Sequence, residues 1–534
     1  MRAMLVLTNG AVYTQDARRP KVSAVAVRDG KVLAVGSDSE MKALLADGGD
    51  WVDLGGRCLI PGLVDAHVHF EGFSLSLQRV NLAGTANLDE ALARVAARVD
   101  EAEAGVWLEG RGWNQTDWPG GAFPTAADLD KIVSHRPVLM RHKSGHAAWA
   151  NSLALKMAGV TAETADPPGG QIQRDGQGRP TGVLFEDAMS FVSDLIPRAT
   201  EAQVVAAMRQ GQEYCLRAGL TGLHDFDGRR CFRSLQTLHQ NEELKLRIVK
   251  NIRVRYLDEA VGVGLKTGFG DDHLWIGGVK IFADGALGPR TAAMLAPYEG
   301  EPENRGIVVT DKEEMFAYAS KASANGLSVT VHAIGDRANH DILDVYEAVR
   351  GEEAARMDGA ALRHRIEHVQ ILHSADFERL AALNVIASMQ PIHATSDMEM
   401  ADRYWGERNK YSYAWRTVKE TGAVLAFGSD APVDPIEPLG GVYAAVSRRR
   451  PDGTPGVDGW YPEQRLTMAE AVEGFTMGAA FAGNRERLSG SIEVGKWADF
   501  TILDRDIFTI PHDEFLDVSV EGTVIGGEFK FRTF

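Results

Sequence analysis

This sequence has few cysteines, no long apolar run and no excess of basic residues. The 534 residues include 3 cysteines, Cys58, Cys215 and Cys231, which lie too far apart for a disulfide framework or a paired-cysteine zinc site. We therefore expect a reducing compartment and a cytoplasmic location. No stretch is apolar over the length that a membrane-spanning helix requires, so we expect no membrane association.

Basic residues are outnumbered by acidic ones. The 57 Lys and Arg residues against 74 Asp and Glu give a net charge of −17, which disfavours binding to nucleic acid or to anionic membranes. With 44% hydrophobic and 25% charged residues, the composition is typical of a soluble globular protein with a large core. We expect a small-molecule substrate and a homo-oligomer, namely a dimer.

Both ends of the chain are rich in short β runs. Residues 4–13 and 22–35 each contain strand-like segments around an Asn-Gly or Asp-Gly turn, and residues 500–503 and 518–531 repeat the pattern. The region between these two ends is not rich in such short β runs. We therefore predict that residues 1–60 and 485–534 together form one small β-sandwich domain.

Strand-like and helix-like segments alternate through residues 61–484, which predicts an α/β fold of the (β/α)8 TIM-barrel type. A doubly wound open sheet is the alternative, but no Gly-rich dinucleotide turn follows the first strand. The intervals 70–136 and 143–218 are too long for ordinary loops, so we predict lid-like insertions around 105–215. The strand candidates are 63–69, 137–142, 219–226, 274–282, 327–332, 364–370, 385–390 and 424–429.

Polar residues stand at the ends of several of these apolar strands. His67 and His69 are two apart on a strand and so point to the same face, although such a pair alone could be two unrelated histidines. In a barrel, the carboxyl ends of the strands form the active site. The strand-end residues that we predict to meet there as a metal site are His67, His69, Lys280, His332, His368 and Asp430.

These residues lie in motifs that resemble the amidohydrolase superfamily of metal-dependent hydrolases. The motifs are Pro61-Gly-Leu-Val-Asp-Ala-His67-Val-His69, Gly278-Val-Lys280-Ile-Phe-Ala-Asp284, His332-Ala-Ile-Gly-Asp336, Arg365-Ile-Glu367-His368 and Gly428-Ser-Asp430. Within the superfamily, the sequence is similar to the subfamily of N-substituted formamide deformylase. It departs from the subfamily at Ser144, where an acidic residue is frequent, which leaves the substrate open.

The resemblance implies one or two divalent metal ions, with zinc as the first choice. His67, His69 and Asp430 would hold one ion, and His332 and His368 a second. Lys280 would be N6-carboxylated and bridge both; the alternative is a salt bridge, for example with Asp284, in a single-metal site. Asp430 would act as the general base for attack by metal-bound hydroxide, although an aspartate after a strand can also be a helix cap.

Other polar or aromatic residues are candidates for substrate binding, each with a structural alternative. His224 could equally be a buried histidine that is hydrogen-bonded in the core. Trp113 could belong to the core of the insertion, and Arg290 could be a solvent-exposed arginine. His393 could contact the substrate or stabilise an oxyanion. The full set of candidates is His146, Trp113, Glu186, His224, Arg290 and His393. We interpret Arg448–Arg450 as a solvated run of charge.

The sequence thus predicts an enzyme, a metal-dependent hydrolase of non-peptide C–N bonds. A linear amide, such as an N-acyl or N-formyl compound, is the expected substrate. A cyclic amide hydrolase or a deaminase is the alternative among enzymes, because related families use the same residues. A non-catalytic scaffold with the same fold is the alternative outside them.

Overall fold

The computed structural model describes residues 4–45, 48–101, 107–356 and 362–534. The chain forms two compact units. The first contains the chain up to Phe73 and again from Met208 to Phe534, and the second contains Ser74–Ala207. Among the described residues, no helix combines the length and the apolar character needed to cross a bilayer.

The first unit begins with short strands that lead into the barrel. In chain order these elements are β1 (Leu5–Thr8), β2 (Ala11–Tyr13), β3 (Lys21–Val22), β4 (Ala24–Arg28), β5 (Lys31–Gly36), α1 (Asp38–Lys42), β6 (Asp50–Asp53), β7 (Cys58–Pro61), β8 (Leu63–Val68) and α2 (Phe70–Ser76).

The second unit is built around a mixed sheet in the order β13-β14-β12-β11-β10-β9. Trp113, Trp149 and Met140 belong to its buried core. Its elements are β9 (Val80–Asn81), α3 (Leu88–Glu101), β10 (Leu108–Trp113), α4 (Ala126–Asp130), β11 (Val138–His142), β12 (Ala147–Ala150), α5 (Ser152–Met157), β13 (Gly170–Arg174), β14 (Pro180–Glu186) and α6 (Ser190–Ser193).

The chain then returns to the first unit through α7 (Glu201–Arg217), and strands alternate with helices. The elements are β15 (Leu220–Asp225), α8 (Arg229–Gln240), β16 (Arg247–Arg253), α9 (Leu257–Gly262), β17 (Leu274–Phe282), α10 (Lys312–Ala324), β18 (Ser328–Ala333), α11 (Asp336–Arg356), β19 (Arg365–His368), α12 (Phe377–Ala382), β20 (Ile386–Met389), α13 (Pro391–Trp405), α14 (Trp415–Glu420), β21 (Leu425–Phe427), α15 (Pro438–Ser447), α16 (Met468–Glu473), α17 (Ala479–Ala482), β22 (Phe500–Leu503), β23 (Val520–Ile525) and β24 (Glu528–Arg532).

Eight parallel strands form the barrel sheet, in the order β21-β20-β19-β18-β17-β16-β15-β8. The two edge strands meet at their carboxyl ends. There the Asp430 N–H donates to the His67 carbonyl at 2.7 Å, and the buried Asp65 carboxylate accepts the N–H of Ser429 at 3.1 Å. Gly428 permits this approach, since a Cβ there would lie 2.5 Å from the His67 nitrogen. The predicted α/β barrel is therefore confirmed as a nearly closed parallel sheet.

One predicted barrel strand is wrong. Residues 138–142 form β11 in the sheet of the second unit, and the third barrel strand is β16, Arg247–Arg253, which the apolar pattern did not reveal. The pattern is hidden because Lys250 lies in the middle of this strand. Its ammonium is buried and pairs with the Asp225 carboxylate at 2.6 Å, which allows a charged residue on a core strand.

The two ends of the chain contribute two sheets to the first unit, in the orders β5-β4-β1-β6 and β24-β23-β22-β7-β2-β3. Leu7 and Val25 from one sheet share a buried cluster with Val12, Leu59 and Phe500 from the other. The two ends of the chain thus share a core, while a single β-sandwich domain with the predicted bounds stays a prediction.

Candidate metal centre

The six strand-end residues come together at the carboxyl end of the barrel. Asp430 Oδ1 lies 3.6 Å from His67 Nε2 and 3.4 Å from His69 Nε2. The ring of His368 lies 4.9 Å from that of His67 and 4.6 Å from that of His332, between centroids. His67, His368 and Asp430 each offer a ligand atom, and these three atoms lie within 4.8 Å of one another.

The outer nitrogens of the two β8 histidines are held by carboxylates. His67 Nδ1 lies 2.6 Å from Glu367 Oε2, and His69 Nδ1 lies 3.1 Å from Asp227 Oδ1. A carboxylate accepts, so each Nδ1 carries a proton, and the neutral His67 ring presents its Nε2 lone pair towards Asp430. Burial of His69 is outweighed by Asp227 and Asp430, which raise its pKa to about 9, so this ring must lose a proton from Nε2 when it binds metal. A hydrogen-bonded carboxylate behind the ring is the arrangement that fixes metal-ligating histidines.

The other two histidines are oriented in the same way by neutral acceptors. His368 Nδ1 lies 2.8 Å from Gln390 Oε1, and His332 Nε2 lies 2.8 Å from the Gly285 carbonyl oxygen. Burial lowers the pKa of His332 to about 3 and that of His67 to about 4, so both rings are neutral at pH 7. Neutral imidazole is the form that binds metal.

Glu367 connects this site to a buried polar network below it. Arg365 Nε donates to Glu367 Oε1 at 2.7 Å. Burial raises the pKa of Glu367, but Arg365 and His67 outweigh this effect and hold the pKa well below its ordinary value. Arg365 Nη1 also donates to His224 Nδ1 at 2.9 Å. His224, a predicted substrate contact, therefore lies in the network that supports His67, with 2% of its surface exposed.

Lys280 is buried at the centre of the mouth without a hydrogen bond. Its Nζ has no hydrogen-bond partner among the described residues and lies 4.7 Å from the Phe226 ring centroid and 4.9 Å from that of Phe282. Burial lowers the pKa of Lys280 to about 8, although Glu367 and Asp430 oppose this shift. The salt bridge considered between Lys280 and Asp284 does not form in the described part of the chain; Asp284 Oδ2 accepts the N–H of Gly335 instead.

Asp430 carries the second unsatisfied atom. Its Oδ1 is buried and makes no hydrogen bond within the described ranges, while Oδ2 lies 3.4 Å from His393 Nε2. Burial is outweighed by contacts with His393 and His67, which hold the pKa of Asp430 well below its ordinary value. The helix-cap alternative for Asp430 is wrong, because the next helix, α15, begins at Pro438 with Glu437 as its N-cap.

The remaining substrate-binding candidates are dispersed. His393 touches Asp430 and is held by Asp434 Oδ2 at 2.6 Å. Arg290 pairs with Glu301 at 3.0 Å. The second unit holds His146 and Glu186, whose exposed side chains lie 3.0 Å apart from Nδ1 to Oε1, and also Trp113, which is fully buried and donates to the Met140 carbonyl.

Sequence reasoning assigned no role to the side chains that hold the histidines. These are Glu367, Asp227, Gln390 and Asp434. The available signal was position, since Glu367 lies on a barrel strand, Asp227 and Gln390 closely follow one, and Asp434 lies in the loop after β21. Their partners could not be assigned, because each pairing joins residues that are distant in the sequence.

The donor set suits a divalent transition metal. Four imidazoles, one carboxylate and one amine lie together here, and the amine Nζ of Lys280 and the carboxylate Oδ1 of Asp430 are buried and lack hydrogen bonds from the described residues. Leaving such atoms without a partner costs free energy in the absence of a ligand. Histidine nitrogen and carboxylate oxygen suit zinc, iron, cobalt and manganese.

Comparison with known proteins agrees with this geometry. The model of the amidohydrolase family matches residues 50–531. The chain belongs to the amidohydrolase family. This confirms the family predicted from the motifs, and the amidohydrolase is a hydrolase that acts on C–N bonds.

Three similar proteins align with almost the whole length of this chain. It is 35% identical to Protein LONG AFTER FAR-RED 3 of Arabidopsis thaliana, over 98% of this chain and 91% of that protein. It is 28% identical to an N-substituted formamide deformylase of Arthrobacter pascens, over 99% and 98%. The crystal structure of an uncharacterized metal-dependent hydrolase from Pyrococcus horikoshii shares 29% identity, covers 96% of this chain and 99% of its own, and superposes with a TM-score of 0.77.

Proposed function

We propose that this amidohydrolase cleaves the C–N bond of a linear N-acyl or N-formyl amide at a divalent metal centre, with zinc as the expected ion. The observation that carries the proposal is the pair of buried, unsatisfied atoms, Lys280 Nζ and Asp430 Oδ1, within a ring of oriented histidines. The residues proposed to hold metal are His67, His69, Lys280, His332, His368 and Asp430.

The arrangement supports two subsets of ligands. His67, His69 and Asp430 would hold one ion, and His332 and His368 a second. Lys280 would join them as a carbamate: its neutral amine nitrogen bonds to the carbon of CO₂ and releases a proton, giving an anionic bidentate group. When bound, a divalent ion would supply Lewis acidity for the scissile carbonyl and lower the pKa of water.

Asp430 is the proposed general base. Its free Oδ1 would accept the proton of the attacking water, and the same carboxyl would then deliver that proton to the nitrogen of the leaving amine. His393 would hold Asp430 in place through Oδ2 and present its ring to the substrate oxygen. Burial is outweighed by Asp430 and Asp434, which raise the pKa of His393 to about 10, so its ring carries a proton at pH 7.

The choice of a linear amide is supported by the Arthrobacter pascens relative, whose name gives formamides as its substrates. The test is turnover of a panel of N-formyl amines, N-acyl amines and cyclic ureides by metal-loaded protein. We expect release of free amine from N-formyl or N-acyl compounds. Metal-loaded protein that opens cyclic ureides but leaves every linear amide intact would contradict the proposal.

A further inference from the structure

A pocket of about 230 Å³ lies between α8 and α9, alongside β16. The surface that the pocket exposes is mainly apolar, although charged side chains also line it, and part of it is open to solvent: Val263 is 80% exposed. The apolar residues of the wall are Phe232, Ile252, Ala260, Val263 and Leu265. Exposed apolar surface that is concave and edged by a few polar groups is typical of a site for a small ligand.

The same pocket has positive charge that the described residues do not neutralise. Arg229 and Arg253 line it, and neither forms an ion pair within the described ranges. Arg253 Nε is buried and has no hydrogen-bond partner there. Beside it, α8 begins at Arg229 after Gly228, which has no side chain to cap the first N–H groups.

The acidic residues of the pocket do not cancel this charge. Asp227 already accepts from His69 Nδ1 and from the backbone N–H of Glu71 at 2.8 Å. Glu259 is exposed on α9 and makes no ion pair with either arginine. Lys250 is paired with Asp225. An anionic group with an apolar body therefore matches both the wall and the edge of the pocket.

We propose that this pocket binds a small carboxylate that carries an apolar chain or ring. The chain lies between α8 and α9, against Phe232 and Ala260. The carboxylate accepts hydrogen bonds from the guanidinium of Arg253, with Arg229 and the start of α8 adding positive potential. A guanidinium suits this task because its planar donors match the two oxygens of a carboxylate.

The pocket adjoins groups of the candidate metal centre. Asp227, which lines it, also fixes His69, and Arg253 on β16 is the register partner of Lys280 on β17. Two sources of the ligand share this chemistry: a carboxylate of the substrate itself, which rests on the proposed function, or a separate apolar acid that acts as an effector. Direct binding does not depend on turnover, so the site can be tested even if the proposed reaction is wrong.

The experiment is calorimetric titration of the full-length protein with octanoate and with its neutral analogue octanamide. For the wild type we expect octanoate to bind at least about tenfold more tightly, because the ligands differ only in the charge that Arg253 recognises. Arg253→Gln is expected to bring the two affinities to within about twofold of each other. Arg403→Gln removes the same charge from an exposed position on α13, which does not line the pocket, and is expected to preserve the wild-type ratio.

Val263→Asp provides a second variant that leaves the fold intact, because Val263 is exposed. Its carboxylate is expected to weaken octanoate binding by about tenfold or more and octanamide binding much less. Absence of octanoate binding to the wild type, or an equal loss for both ligands in Arg253→Gln, would overturn the proposal.

A kinetic arm separates the two sources. Competitive inhibition by octanoate of N-formyl-leucine hydrolysis would assign the site to the substrate's carboxylate. Octanoate binding that leaves KM unchanged would assign it to a separate effector. Either result supports the site itself.

Discussion

The two ends of the barrel treat buried charge differently. At the amino-terminal end, Arg247 at the start of β16 binds Asp499 through Nε at 2.6 Å and Nη2 at 3.0 Å, and its Nη1 donates to the Asp272 carbonyl. The Gly526 N–H also donates to Asp499. At the carboxyl-terminal end, Lys280 Nζ and Asp430 Oδ1 are equally buried but have no hydrogen-bond partner in the described structure.

The difference indicates that buried charge at the amino-terminal end of the barrel serves stability, while buried charge at the carboxyl-terminal end serves function. Arg247 and Asp499 satisfy each other's hydrogen bonds, so neither requires a ligand. This ion pair joins the barrel to the sheet formed by the chain ends. Unsatisfied buried atoms are tolerated where a ligand completes them. Substitutions at the two ends should therefore change different measured quantities.

Asp430→Asn is expected to give the largest effect on turnover. Loss of the general base should lower kcat by about 10²–10⁴-fold, measured as amine release at saturating substrate. The free energy of unfolding should fall by less than the loss of a whole buried pair would cost, because the protonated His393 keeps its second partner, Asp434, and asparagine tolerates the positive φ of 61° found here. A variant that unfolds easily while its folded fraction keeps full kcat would contradict the assignment.

Asp499→Asn is expected to do the reverse. Breaking this buried pair should lower the free energy of unfolding by about 3–5 kcal/mol, measured by denaturant titration, because Arg247 loses its counter-ion. The folded fraction should keep its kcat. Glu243→Gln, which removes the exposed ion pair with Arg209, is the matched control and should cost less than about 1 kcal/mol. Equal losses in the two variants would show that the buried pair has no special role.

Gln390→Ala is expected to have a smaller effect that sharpens the comparison. Gln390 orients His368 through a hydrogen bond of 2.8 Å, so its loss should weaken metal affinity by about 10–100-fold. Competition with a chelator would measure this change. Restoration of activity by excess metal is the result that separates an orienting role from a catalytic one; activity that excess metal cannot restore would argue against it.

Sequence reasoning was accurate where buried strands are mainly apolar and carry one polar residue, and β19, Arg365–His368, was located although three of its four residues are polar. Apolar runs that contain or end near one polar residue located β17, β18 and β21, and those polar residues, Lys280, His332 and Asp430, belong to the candidate site. It failed for β16, whose charged Lys250 depends on Asp225, and for Arg448, expected in a solvated run. Arg448 is fully buried between the rings of Trp415 and Trp460, at 4.4 and 4.9 Å.

These failures share a physical cause. A buried charge is stabilised by partners that are distant in the sequence, so its local pattern resembles that of a surface residue. The same applies to Asp227 and Gln390, whose roles depend on which histidine the fold brings beside them. Local patterns therefore predicted the metal-site candidates, while the residues that orient them required the structure.

Counting metal in the purified protein tests the central claim most directly. Elemental analysis of the wild type should give at least one divalent transition-metal ion per chain, and Lys280→Ala should contain less, because it removes the buried group at the centre of the mouth. Wild-type protein that hydrolyses amides at full rate with no bound metal would contradict the account.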